Sequence, residues 1–248
     1  MNLKNLVAYI TSGYPEKSFS IELALALGEN GVDTLEFGIP FSDPVADGPL
    51  IEQANQKALE LGFKFTDLIE ISQAVAFKID TLWMGYFNSF YQQNMKELLP
   101  LASKLGVNGL IIPDLPHEEA LLYKDLFVEN SLTNISFVAP TDSNERIQEV
   151  ITHAQKFIYM VAYTGITGFG KAEDLQPFLQ AIKMYSQTPV YVGFGVNAKT
   201  AKEKVKGADG VIVGSAFIDI LLQEKLTYSQ KIIHCSELSK IIKEEINS

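Results

Sequence analysis

Short apolar runs and longer amphipathic runs alternate along the whole chain. Eight stretches are rich in β-branched, aromatic and other apolar residues: LVAYIT (6–11), TLEFGI (34–39), TLWMGY (81–86), GLIIPD (109–114), NISFVA (134–139), FIYMVA (157–162), PVYVGF (189–194) and GVIVGS (210–215). Their apolar positions are nearly continuous instead of alternating with polar ones, as expected of strands buried on both faces in a parallel sheet wrapped by helices. Between them lie segments with helical spacing, such as SIELALALGENG (20–31) and MKELLPLASKLG (95–106), each ending in a glycine suited to close a helix. Eight consecutive strand–helix units predict an α/β fold, a single (β/α)8 TIM barrel domain over residues 1–248. The alternative is a doubly wound open sheet, but no GxGxxG follows the first strand.

The interval between the second and third strands is almost twice the usual one. It predicts a loop, a helix over 48–62 and a second helix near 66–78. Barrel enzymes build their sites from chain that follows the C-terminal ends of strands, so this extra length draws the eye. It begins with LEFGIPFSDPVADGP (35–49), which places Glu36 inside an apolar strand and Asp47 at the end of a Pro/Gly-rich loop. Glu36 has two readings: a proton-transfer group whose pKa burial raises, or half of a structural ion pair. Asp47 also has two: a site carboxylate, or a cap or Asx-turn at the entry of the next helix, with Pro49 in its first turn.

Composition narrows the chemistry. With 248 residues, 47% of them hydrophobic, the chain is long enough for one large barrel core. The formal net charge of −10 and scattered lysines exclude a nucleic-acid footprint, and the one arginine, Arg146, leaves no guanidinium cluster for phosphate. Any phosphate site must therefore be made largely by backbone. Glycines follow each of the last three strands, in TGITGFG (164–170), GFG (193–195) and GSA (214–216). They read either as a cup of backbone N–H groups at a helix N-terminus or as ordinary turn and cap residues. GITGFGKAED (165–174) reads as a closing lid or as a plain mobile loop.

Cys235 is the single cysteine, and His117, His153 and His234 stand alone on helical segments, so no metal site is expected. Asp114 ends the fourth strand but reads equally as part of a helix entry. Tyr159 reads as core, and Tyr86 and Asn88, after the third strand, read as pocket-lining positions. No apolar run approaches the roughly 18 residues that span a bilayer, and the N-terminus lacks a secretory pattern, so a cytoplasmic protein without membrane contact is expected.

The segment LEFGIPFSDPVADGPLIEQAN resembles the signature of the tryptophan synthase alpha chain family, whose catalytic Glu and Asp stand eleven positions apart, as Glu36 and Asp47 do. The likeness continues through YITSGYP, MGYFNSF, IIPDLPHEEA, GITG, VGFGV and IVGSA, in order along nearly the whole chain. It implies a (β/α)8 barrel and the retro-aldol cleavage of indole-3-glycerol phosphate to indole and glyceraldehyde 3-phosphate. By position, the resemblance makes Glu36 the general acid/base and Asp47 the acceptor of the indole N–H. It gives the phosphate to Gly168, Phe194, Gly195, Gly214 and Ser215, the indole pocket to Tyr159 and Tyr86, and the lid to Thr167. It further implies a beta-chain partner in an α2β2 heterotetramer, with Asp43 on the contacting face. Pyridoxal phosphate would belong to that partner, and this chain would need no cofactor. The departures are a covering helix before the first strand that is reduced or absent, Tyr163 and Thr164 before GITG, and Tyr14 in place of a usual Asp. A noncatalytic barrel that only activates a beta-type partner, and a related phosphate-binding barrel isomerase, are the competing readings.

Overall fold

The computed structural model describes residues 3–161 and 175–248. The strands are β1 (Asn5–Thr11), β2 (Thr34–Gly38), β3 (Asp80–Met84), β4 (Gly109–Ile111), β5 (Thr133–Asn134), β6 (Ser136–Val138), β7 (Ile158–Val161), β8 (Val190–Gly193) and β9 (Gly210–Val213). All their pairings are parallel, in the order β5-β4-β3-β2-β1-β9-β8-β7-β6. The described strands number nine where the pattern predicts eight, because the fifth run is divided at Ile135. β5 pairs with β4 and β6 pairs with β7, so the two ends of the sheet are consecutive pieces of one run. The sheet is thus a nearly closed barrel, and closure removes the exposed edges of an open sheet.

Side-chain alternation sets two layers of apolar packing. Val7, Leu82, Ile111, Ile135, Phe157, Tyr191 and Ile212 form the cluster inside the barrel, with Phe157 and Tyr191 stacked at 4.5 Å. Leu6, Ala8, Leu35, Phe37 and Trp83 pack instead with the helices. The first helix, Lys17–Glu29, buries Phe19, Leu23 and Leu27 at helical spacing, as its amphipathic pattern requires. The long interval after β2 holds the two helices expected there, Pro49–Glu60 and Phe65–Val75. Trp83 donates its indole N–H to Ser72 on the second of them at 2.8 Å, which fixes that helix on β3.

Among the described residues no helix precedes β1, and polar groups tie the N-terminal ends of the strands together. Asp80 accepts from the Thr34 hydroxyl at 2.6 Å, from the Asn108 amide at 2.6 Å and from the Lys156 ammonium at 2.8 Å. The C-terminal helix, Tyr228–Ile246, reaches the same end through Lys243, which donates to Asp33 at 2.6 Å and to the Lys4 carbonyl at 2.8 Å. No helix among the described residues is long and apolar enough to cross a membrane.

Candidate active site

The C-terminal ends of the strands surround a cavity of about 1080 Å³ whose lining includes Tyr9, Glu36, Asp47, Tyr159, Gly195 and Ser215. Two glycines make room for its aromatic walls. A Cβ at Gly38 would lie 2.2 Å from the Tyr9 hydroxyl, and one at Gly193 would lie 2.4 Å from the Tyr159 ring. Tyr159 stacks on Phe137 at 5.0 Å, so its ring is held as a flat face of the cavity.

Glu36 follows Thr34 by two residues on β2 and so faces the barrel interior one layer nearer the mouth. It is 2% exposed, and among the described residues its Oε1 has no hydrogen-bond partner. No ion pair holds it among the described residues. Burial, and then the neighbouring Asp47 charge, push its pKa up to about 8.

Asp47 does not cap the following helix. That helix starts at Pro49 with Gly48 as its N-cap, and it has no side-chain cap hydrogen bond among the described residues. The Asp47 amide closes a turn onto the Pro44 carbonyl at 2.9 Å, and its carboxylate accepts from the Asn55 amide at 3.3 Å. Burial raises its pKa to about 6 while hydrogen bonding from Tyr86 and Asn55 pulls the other way.

Tyr86 is not among the cavity-lining residues. Its ring is buried against Phe41 at 5.1 Å, and its hydroxyl accepts from the Ala46 N–H at 2.9 Å, so it braces the loop that carries Asp47. Asp43 is exposed on the outer part of that loop, beside Val45, which is 81% exposed. Across the cavity, Phe194 and Gly195 adopt φ of 80° and 67°, and Thr200 donates to the Gly195 carbonyl at 2.7 Å. Gly214 is the N-cap of the Ser215–Leu222 helix, whose positive end therefore opens on the same space. Thr167 and Gly168 lie outside the described residues, as do Tyr163 and Thr164.

Several of the weaker candidates have structural duties. Asp114 accepts from the Phe87 N–H at 2.7 Å, at the start of a short helix, and Asn88 is exposed on that helix. His117 and His153 are not isolated from each other: their rings are nearly parallel, 6.1 Å apart. Among the described residues no group of three or more His, Cys, Asp or Glu could hold a metal ion. Two residues of the site escape the sequence pattern. Tyr9 reads as core within LVAYIT, yet it lines the cavity; Asn55, 1% exposed, contacts Asp47. Asn55 had a signal, since it stands four residues after Ile51 in the stripe that buries Ala54 and Ala58.

A family model described as the tryptophan synthase alpha chain matches residues 1–247. The chain belongs to that family. A tryptophan synthase alpha chain of Wolinella succinogenes is 51% identical over 249 residues, covering 100% of this chain and 98% of the relative. The solved tryptophan synthase subunit alpha of Campylobacter jejuni is 30% identical with a TM-score of 0.86, and the match covers 96% of each chain. A ligand-free tryptophan synthase of Mycobacterium tuberculosis is 28% identical with a TM-score of 0.88, covering 99% of this chain and 94% of that one. The tryptophan synthase alpha chain is a lyase subunit of tryptophan biosynthesis, and its reaction is the cleavage of indole-3-glycerol phosphate. Family members assemble with a beta chain into α2β2 complexes. The competing readings of a noncatalytic barrel and of a phosphate-binding isomerase give way to this membership.

Proposed function

We propose that Glu36 moves the protons of the cleavage and that Asp47 holds the indole N–H. The observation that carries this reading is a buried Glu36 with an unpartnered oxygen and a pKa of about 8, sharing one cavity with Asp47. At neutral pH such a glutamic acid is protonated and can give its proton to the indole C3 carbon, which makes the ring an electron sink. Positive charge then develops on the ring nitrogen, where the Asp47 carboxylate stabilises it. The Glu36 carboxylate left behind takes the proton of the glycerol hydroxyl next to C3. As the C=O forms there, the C–C bond breaks and its electrons return to the ring, leaving indole, glyceraldehyde 3-phosphate and a reprotonated Glu36. Every proton borrowed is returned, so the side chains of this chain complete the cycle.

Phe194, Gly195, Gly214 and Ser215 would hold the phosphate through backbone N–H groups and the helix N-terminus, with Gly168 beside them and Thr167 on the closing lid. Tyr159 would lie against the indole ring, while Tyr86 acts on the Asp47 loop and not on the substrate. One (β/α)8 domain carries the whole site. The loop with exposed Asp43 and Val45 would meet the beta chain, which carries pyridoxal phosphate, in the cytoplasm. Indole release from indole-3-glycerol phosphate by wild type, Glu36→Gln and Asp47→Asn tests the roles; undiminished cleavage by both variants overturns them.

A further inference from the structure

Two carboxyls in one buried cavity repel, and near neutrality they share a single charge. Hydrogen-bond donors decide which one carries it. Among the described residues Glu36 Oε1 has none, whereas Asp47 accepts from the Asn55 amide at 3.3 Å. An amide presents a donor or an acceptor depending on which way it is turned. On its other side Asn55 meets the Tyr9 hydroxyl, 3.5 Å from Asn55 Oδ1. A phenol that donates to Oδ1 fixes the amide with its nitrogen toward Asp47. Tyr9 is kept as a donor by burial and by the nearby Asp47 charge, which hold its pKa well above 10. Its ring is kept in place over Gly38, where any side chain would collide with it.

Other groups also face Asp47. Glu36 on β2 and Glu52 on the Pro49–Glu60 helix oppose a negative charge there. Tyr86, which follows β3, supplies a hydrogen bond that favours it, and Tyr159 on β7 stays neutral nearby. We propose that Asn55, oriented by the Tyr9 hydroxyl, is a positioning residue that, together with the Tyr86 hydroxyl, assigns the negative charge of the pair to Asp47. This rests on the reading that Asp47 holds the indole N–H.

The test is indole release by the full chain as a function of pH, for Asn55→Leu and Tyr9→Phe, each alone and combined with Asp47→Asn. A hydrogen bond to a charged group is worth enough to cost Asn55→Leu about 10-fold or more in kcat/KM. Its acid limb moves to higher pH, and Tyr9→Phe moves the same limb less far. In the Asp47→Asn background neither change costs more than about twofold, because the residue they act through is gone. An acid limb unmoved in both variants, or equal losses in both backgrounds, overturns the proposal. If Asn55→Leu fails to fold by circular dichroism, Tyr9→Phe, which removes one oxygen, decides alone. Full cleavage by Asp47→Asn itself strikes the underlying reading, whereas impaired cleavage by Asp47→Asn with an unmoved limb in Asn55→Leu strikes only the charge assignment.

Discussion

The two ends of the β2–β3 pair treat a carboxylate in opposite ways. At the floor, Asp80 on β3 is saturated by Thr34, Asn108 and Lys156. At the mouth, Glu36, two residues along β2 from that same Thr34, has a buried oxygen with no partner among the described residues. A carboxylate whose acceptors are filled stabilises the fold, while a buried one left bare destabilises its own charged form and so keeps a proton near neutral pH. The difference separates a structural acid from a reactive one, although both are acids on inward-facing positions of neighbouring strands.

Substitutions at each end can break that contrast. Glu36→Gln has the largest expected effect, a loss of about 10²- to 10⁴-fold in kcat, as removal of a general acid/base brings. Its folded state should be no less stable than wild type. The raised pKa means that wild type loses stability as pH rises from about 4.5 to about 8, so the advantage of Glu36→Gln in Tm grows across that window. A variant destabilised at pH 9 would contradict the account of Glu36. Asp47→Asn should cost about 10²- to 10³-fold in kcat/KM, in the range of one lost electrostatic contact in a preorganised site. Asp80→Ala is the mirror image. Loss of hydrogen bonds to a charged group predicts about 2–3 kcal/mol of destabilisation by urea unfolding, with kcat within about twofold of wild type. The smallest effect is on pH. Cleavage should fall as Asp47 is protonated below about 6 and as Glu36 loses its proton above about 8, giving a bell whose limbs belong to the pair. A profile flat across both limbs would remove the electrostatic basis of the contrast.

Much of this contrast is legible in the sequence, and the unread part has physical causes. Continuous apolar runs mark the strands because both faces are buried, and Glu36 stands out because nothing else in its run is charged. Asp80 does not stand out, since it lies just before the run TLWMGY, where a charged residue is unremarkable, and its three partners come from distant segments. The break at Ile135 is not marked, because Asn134 and Ser136 on either side of it are single polar residues of a kind that also occur inside unbroken strands. Tyr9 is hidden by its own ring: an aromatic side chain in an apolar run reads as core, and only Gly38, diagonal to it on β2, leaves room for its hydroxyl. Tyr86 shows the converse, a residue at the right strand end whose ring is claimed by Phe41 and whose hydroxyl is claimed by the loop.

The divided fifth strand has a consequence of its own. β5 holds β4 through Gly109–Thr133 and Leu110–Asn134, whereas β1 and β2 run together from Val7–Thr34 to Thr11–Gly38. A ring opens where a short fastening meets a divided strand, and local opening sets the pace at which amide hydrogens trade with solvent. Deuterium uptake should therefore enter the barrel wall first at 133–138 and last at β1 and β2, so that the staves carrying Tyr9 and Glu36 are the ones that stay shut.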